Sequence, residues 1–234
     1  MPVYRIKYSK EGPARYISHL DLLRTFARAG RRAGLPLAFT QGFNPHPKIT
    51  FAAPLGVGIA GLGEFADIEL TEPMSAAAVK EAFNLTLPEG LGVADARLIP
   101  DQVKSLMAMV DRATYRSEVK LSRPISQNEL NESIESFLNL PEIWIERRSK
   151  KNPAAKHNIR EGIFYLTGVA EGDDIILEME LKTGSGGNVK CEEVLSEFIK
   201  DSALPVEGGF SLYRAGLYQA PINQREKRTL WERP

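Results

Sequence analysis

A strand, helix, strands, helix, strand order is written twice along this chain of 234 residues, and that recurrence limits the fold more than any single motif does. Tyr4, Ile6 and Tyr8 alternate with Arg5, Lys7 and Ser9, the period of two expected of a strand with one buried face. Ser18 and Asp21 then have capping-box spacing, and Leu20, Leu23, Phe26, Ala27, Gly30 and Ala33 supply the apolar side of a helix that Gly34-Leu35-Pro36 stops. Strands are predicted over 37–40, 48–53 and around Phe65, Ile68 and Leu70, followed by a helix from Ser75 to Leu85 and a strand near 93–99. After a short linker helix over 104–113 the order begins again: strand 115–121, helix 126–138, strand 143–148, strands within 163–169 and 175–182, helix 190–202 and strand 211–217. Each half reads as a βαββαβ unit, so the expected fold class is α+β, built as tandem ferredoxin-like units. The expected organisation is a first half over 1–100, a linker over 101–113, a second half over 114–220 and a basic tail over 221–234. The repeat is one of element order; no residue-level repeat accompanies it.

Charge is segregated although 30 Lys and Arg balance 30 Asp and Glu. Residues 1–60 carry 9 basic and 2 acidic side chains, and 143–160 carry 6 and 1, whereas 161–213 carry 3 and 11. If the basic blocks share a face they attract a polyanion despite the neutral total, because a surface field decays over a Debye length of about 8–10 Å. The alternative is that they pair with the acidic segments. A single cysteine, Cys191, excludes an internal disulfide framework, a Cys-based zinc site and a cluster held by thiolates of this chain alone. No charge-free apolar run approaches the roughly 18–20 residues of a membrane span, and the start Met1-Pro2-Val3-Tyr4-Arg5 has no signal-peptide core, so a cytoplasmic protein without membrane contact is expected.

On a helical wheel with Arg24 at zero, Arg28, Arg31 and Arg32 fall at about 40°, −20° and 80°, so four guanidiniums share one face. Arginine forks match phosphate oxygens in bidentate fashion, which suits a nucleic-acid backbone; the other reading is a solvated helix face paired with acids. In Gln41-Gly42-Phe43-Asn44-Pro45-His46-Pro47-Lys48 each proline drives the preceding residue into extended geometry. A stiff loop then presents Phe43, Asn44, His46 and Lys48, suited to an unstacked base and its phosphate, or serves only as a tight strand connection. In the second half, Arg147, Arg148, Lys150 and Lys151 form a basic hairpin tip that either extends the basic face or is a solvated loop. Gly184-Ser185-Gly186-Gly187-Asn188 precedes a helix but matches neither the phosphate-loop nor the dinucleotide fingerprint, and reads as a flexible turn.

His19 and His46 are the candidates for acid–base chemistry, since imidazole titrates near neutrality and the arginines near His19 could stabilise a phosphate transition state. A helix-start histidine packed against the core is the alternative for His19. No HExxH, GxSxG or metal-spaced acidic cluster is present, and the three histidines are scattered, so neither a metal site nor a cofactor is expected.

The segments Arg15-Tyr16-Ile17-Ser18-His19-Leu20-Asp21-Leu22, Arg31-Arg32-Ala33-Gly34-Leu35-Pro36 and Gly42-Phe43-Asn44-Pro45-His46-Pro47-Lys48 resemble the bacterial radical-SAM-linked protein family, and the resemblance extends through Phe51-Ala52-Ala53-Pro54-Leu55 and Leu181-Lys182-Thr183-Gly184. It implies a domain of unknown function found beside a radical SAM protein or fused to its C-terminus. One cysteine cannot supply that enzyme's three-cysteine cluster motif, so the resemblance implies the linked partner and not the radical enzyme. The chain departs from the family at Asn158, where an acidic residue is expected before Ile159-Arg160, which argues against proton transfer there. A second resemblance, of architecture only, is to the CRISPR RNA-processing endonucleases, which cut without metal; of their glycine-rich loop only Gly208-Gly209 is found. The expectation is an RNA-binding accessory protein, without catalysis of its own, that presents tRNA or rRNA to a radical SAM modification enzyme. A metal-independent RNA endonuclease or RNA-modifying enzyme using His19 or His46, and a protein-only adaptor, are the alternatives.

Overall fold

The computed structural model describes residues 1–100, 105–147, 155–219 and 228–231, and has a mixed α/β architecture with five α-helices among them. The chain divides into two compact units: one takes in residues 1–111 and the chain from Arg214 onward, the other Arg112–Tyr213. The sequence halves had assigned 214–220 to the second unit. Of the expected linker helix, 101–104 lie outside the described residues and the rest shrinks to α3 (Leu106–Met109), because Val110 is already extended and the next strand begins at Arg112.

In the first unit the order is β1 (Val3–Lys10), α1 (His19–Arg32), β2 (Ile49–Phe51), β3 (Ala60–Glu69), α2 (Ala76–Asn84) and β4 (Leu91–Ile99). Antiparallel pairing places β1 between β4 and β3, with Tyr4 opposite Ile68 and Leu98, and β2 on β3 with Ile49 opposite Ile68. The predicted strand over 37–40 reduces to two bridges, Leu37 to Leu70 and Phe39 to Pro47. Prolines 36 and 47 lack the N–H groups that a longer ladder needs. Tyr4, Ile6 and Tyr8 point into the core as their alternation predicts, where they meet Leu22, Phe26 and Ala29 of α1 and Val79 and Phe83 of α2. Phe26 is the hub: its ring lies 5.1 Å from Tyr8, 5.6 Å from Phe51 and 5.6 Å from Phe83 in edge or tilted geometry.

Helix α1 begins as its sequence requires. The Ser18 hydroxyl accepts from the Asp21 amide at 3.2 Å and donates to the Asp21 carboxylate at 2.7 Å. It ends in a Schellman turn: Gly34 takes φ +70°, and the Leu35 amide donates back to the Gly30 carbonyl at 2.9 Å. Leu20, expected on the apolar side, is exposed, while Leu22 and Ala29 are buried. At 100° per residue Leu20 falls at about −40°, within the arc of the arginines, and Leu22 and Ala29 fall nearly opposite.

The other face of the first unit is held by ions rather than by solvent. Arg5, an outward position in the strand pattern, is buried: its guanidinium makes bonds of 2.8 and 2.9 Å to Asp67 and one of 2.5 Å to the Leu230 carbonyl. Strand β10 (Val206–Gln219) brings in Arg214, which pairs with Glu64 and donates to the Ala53 carbonyl at 2.9 Å and the Pro54 carbonyl at 3.2 Å. Lys10, also buried, donates to the Ile17 carbonyl at 2.8 Å. Burial depresses the Lys10 ammonium below its ordinary range, and burial next to Glu64 raises the Tyr8 phenol well above its own. The short strand β11 (Arg228–Thr229) pairs with the end of β10, and Trp231 lies between the Phe65 ring at 5.2 Å and the Arg97 guanidinium at 4.4 Å.

The second unit runs β5 (Arg112–Leu121), α4 (Gln127–Asn139), β6 (Trp144–Arg147), β7 (Ala155–Asn158), β8 (Ile163–Glu171), β9 (Asp174–Lys182), α5 (Cys191–Ser202) and then β10, with strand order β10-β5-β9-β8. β6 and β7 form a separate antiparallel hairpin in which Ile145 faces His157. Ser126 caps α4 by accepting from the Glu129 amide at 3.1 Å, and Phe137 of α4 packs edge-on to Phe198 of α5 at 5.4 Å. Among the described residues no helix is long and apolar enough to cross a membrane.

Removing one partner of the Glu64 and Arg214 pair strands a charge in the core. Glu64→Ala is expected to lower unfolding free energy by about 3–5 kcal/mol, and the paired replacement Glu64→Leu with Arg214→Met to lower it by clearly less, both read from urea denaturation.

Candidate nucleic-acid interface

All four arginines of the predicted row are exposed on α1. They are not equally available. Arg24 pairs with Asp21 one turn earlier at 3.0 Å, with both side chains more than half exposed, so water and salt weaken the pair. The Ser18 hydroxyl bond and Arg24 together hold the Asp21 carboxyl below its ordinary range. Arg32 donates to the Thr86 carbonyl at 2.5 Å, and the Arg31 guanidinium lies 5.3 Å from the Phe39 ring centre. Among the described residues, Arg28 has no hydrogen-bond or ion-pair partner.

The Phe39 contact joins α1 to the proline-flanked loop, because Phe39 bridges Pro47 across the loop base. Backbone bonds close that base: Thr40 N–H to the His46 carbonyl at 3.0 Å, Lys48 N–H to the Ala38 carbonyl at 2.8 Å and Glu69 N–H to the Lys48 carbonyl at 3.1 Å. The Thr40 hydroxyl accepts from the His46 amide at 3.2 Å and lies 3.1 Å from His46 Nδ1. The loop is thus tied at its neck while its tip stands out. Phe43 is fully exposed, and Asn44 and His46 are exposed beside it. A phenyl ring so presented buries none of its apolar surface within the fold.

Lys48 differs from its expected role. Its ammonium meets Glu69 at 2.9 Å, so its charge is matched within the fold. Arg147 differs too: it makes bonds of 2.9 and 2.6 Å to Glu193 and one of 2.8 Å to the Asn188 carbonyl, a fork already filled by a carboxylate. Arg148, Lys150 and Lys151 lie outside the described residues, as does most of the expected basic tail. His19 is exposed at the start of α1 with its ring 5.5 Å from Phe51, and among the described residues no hydrogen bond or ring contact links it to His46.

Sequence reasoning passed over an apolar and aromatic edge next to the arginines. Tyr16, Leu20 and Val57 are exposed, Arg15 covers the Tyr16 ring at 4.8 Å, and the Gly58 amide donates to the Arg15 carbonyl at 2.9 Å, which brings Val57 to the same edge. Tyr16 stands close to His19 in the sequence, but only the structure shows that its ring is exposed and not part of the core.

A family model described as an uncharacterized protein conserved in bacteria, DUF2344, matches residues 3–191. The chain belongs to that family. Its description names no partner and no reaction. Among curated proteins none matches. Among solved structures, a chain of a Cbf5-Nop10-Gar1 complex is similar over 93% of this chain and 50% of its own length, at 11% identity and a TM-score of 0.53. A chain of an H/ACA ribonucleoprotein bound to a substrate RNA containing 2′-deoxyuridine is similar over 91% of this chain and 46% of its own, at 13% identity and a TM-score of 0.46. The chain therefore spans about half the length of these relatives, and the first likeness is one of fold alone.

The loop neck supplies a local test. Thr40→Val removes the hydroxyl that accepts from His46, and the His46 amide is expected to exchange with solvent about tenfold faster by NMR, corresponding to one lost hydrogen bond. An unchanged rate would mean that the prolines alone hold the loop.

Proposed function

We propose that this chain is an RNA-binding accessory protein that presents tRNA or rRNA to a radical SAM modification enzyme and performs no catalysis of its own. The observation that carries the reading is the contact of Arg31 with Phe39, which sets the exposed arginine row of α1 against the neck of a loop whose tip holds a fully exposed Phe43. Cations for phosphates and an unpartnered aromatic for a base are the two ingredients of single-strand recognition. In this reading Arg24, Arg28, Arg31 and Arg32 hold phosphates, and Phe43, Asn44, His46 and Tyr16 meet unstacked bases. Lys48 sets the loop through Glu69 rather than gripping RNA. The radical SAM partner comes from the family resemblance of the sequence motifs.

The reading includes a tandem of ferredoxin-like units. Strand orders β4-β1-β3-β2 and β10-β5-β9-β8, with helices after β1 and β3 in the first and after β5 and β9 in the second, support it, and the β6 and β7 hairpin is then an insertion in the second unit.

Binding to mixed single-stranded RNA is expected to weaken with salt with a log–log slope of roughly −3, as four neutralised phosphates require. The double variant Arg28→Glu with Arg31→Glu is expected to reduce that slope by more than one unit and to weaken binding at least about tenfold. Flat salt dependence, or binding unchanged in the double variant, would overturn the proposal. Recovery of a radical SAM protein with this chain in the absence of RNA would replace it with the protein-only adaptor, and RNA cleavage in EDTA that is lost in His19→Ala would replace it with the endonuclease.

A further inference from the structure

Within the second unit a cavity of about 350 Å³ opens between the end of β7, the start of β8 and the Gly184–Asn188 turn. Its size falls in the range of small-molecule sites, roughly 300–1,000 Å³. Nothing in the reading of α1 and its loop uses it. The lining is of mixed chemistry. Lys182, His157 and Arg147 bring cationic or hydrogen-bonding heads, Glu161 a carboxylate, Asn158 an amide and Phe164 a ring that is 39% exposed, over a floor of Ile159 and Val189.

Three features make this a formed site rather than a surface dent. First, Arg147 is fixed by Glu193 and by the Asn188 carbonyl, and the Thr183 hydroxyl donates to Asn188 Oδ1 at 2.9 Å, so the turn is tied at both ends. Second, the Asn158 side-chain oxygen accepts from the Ile143 amide at 3.0 Å and the Arg160 amide at 3.0 Å, which spends its acceptor and leaves its NH2 group without a hydrogen-bond partner among the described residues. Third, the Lys182 stem lies along the turn: a Cβ on Gly187, whose φ of +139° already disfavours a side chain, would come to 3.3 Å from Lys182 Cε. Among the described residues the Lys182 ammonium has neither an ion-pair nor a hydrogen-bond partner, unlike the Arg147 guanidinium beside it. The Arg112 guanidinium lies 3.9 Å from the Phe164 ring centre, holding that ring at the rim while part of it stays open.

We propose that this cavity binds a nucleoside monophosphate unit, with Lys182 beside the Gly184–Asn188 turn taking the phosphate, the open part of Phe164 taking the base, and Asn158 and Glu161 hydrogen-bonding the sugar or base edge. An unpaired ammonium over a glycine turn suits a phosphate. An aromatic rim and an apolar floor are superfluous for inorganic phosphate and fit a nucleobase. A carboxylate in the lining repels a bare anion but accepts from ribose hydroxyls or an exocyclic amine. The unit is either a free nucleotide or a terminal residue of an RNA, and the two share the same contacts.

The test is a titration of the full chain with adenosine 5′-monophosphate, adenosine and inorganic phosphate, followed by amide chemical shifts and calorimetry. The monophosphate is expected to shift Gly186, Gly187 and Asn188 and to bind at least about tenfold more tightly than adenosine or phosphate. Lys182→Gln is expected to weaken it about tenfold, with Phe164→Ala weakening the monophosphate and not phosphate. Arg28→Glu with Arg31→Glu is expected to leave it unchanged, which separates this proposal from the RNA reading of the first unit. A short RNA with a 5′-phosphate that displaces the monophosphate assigns the site to RNA ends, and one that does not assigns it to free nucleotide. No shift in the turn, phosphate binding as tightly as the monophosphate, or a neutral Lys182→Gln would overturn the proposal; the shifts in the unmodified chain decide the matter even where a variant folds poorly.

Discussion

The buried ion pair of Arg214 with Glu64 is the constraint on which the first unit depends. A guanidinium so enclosed needs its donors filled, and this one fills them with the carboxylate and with the carbonyls of Ala53 and Pro54. Those carbonyls lie two and three residues beyond β2, so an arginine from the far end of the chain fixes the segment by which β2 leaves the sheet. Arg5, bonded to Asp67 and to the Leu230 carbonyl, does the same for the chain's last described turn. Each contact joins residues far apart in sequence, and each would be costly to break singly.

From that anchoring the candidate interface follows. With β2 fixed on β3, the chain from Phe39 to Pro47 must cross back over a short neck, and the prolines and Thr40 keep the crossing stiff. Helix α1 is held by Phe26 against Tyr8, Phe51 and Phe83, which turns its arginines outward and brings Arg31 to Phe39. The cationic row and the exposed aromatic tip are thus two products of one packing arrangement. In the proposed role this matters because phosphates and bases of one strand must be met in register.

Local signals were legible in the sequence wherever one element decides the outcome. Ser18, Ser75 and Ser126 each cap the helix their position announced, and the four arginines share the exposed face that their spacing gives. Leu20 was misassigned although the same wheel put it among the arginines, because an apolar residue beside a helix start is easily counted with the core. Arg5, Lys10, Glu64 and Arg214 were illegible for a different reason. A charged residue on a strand reads as outward unless its partner is known, and the partner of Arg214 lies 150 positions away. The pairing of Lys48 with Glu69 and of Arg147 with Glu193 was hidden in the same way, and it takes both from the list of free cations. The Gly184–Asn188 stretch read as a flexible turn because its neighbours in space, Lys182, His157 and Phe164, come from three separate strands.

The central claim is that single-stranded RNA lies across α1 and the proline-flanked loop. Ultraviolet cross-linking of the full chain to uridine-rich RNA, with the linked peptides identified by mass spectrometry, tests it most directly. The expected result is cross-links at Phe43 and Tyr16 that disappear in excess salt. Cross-links confined to residues 112–213, or none at all under conditions where RNA is retained, would contradict it.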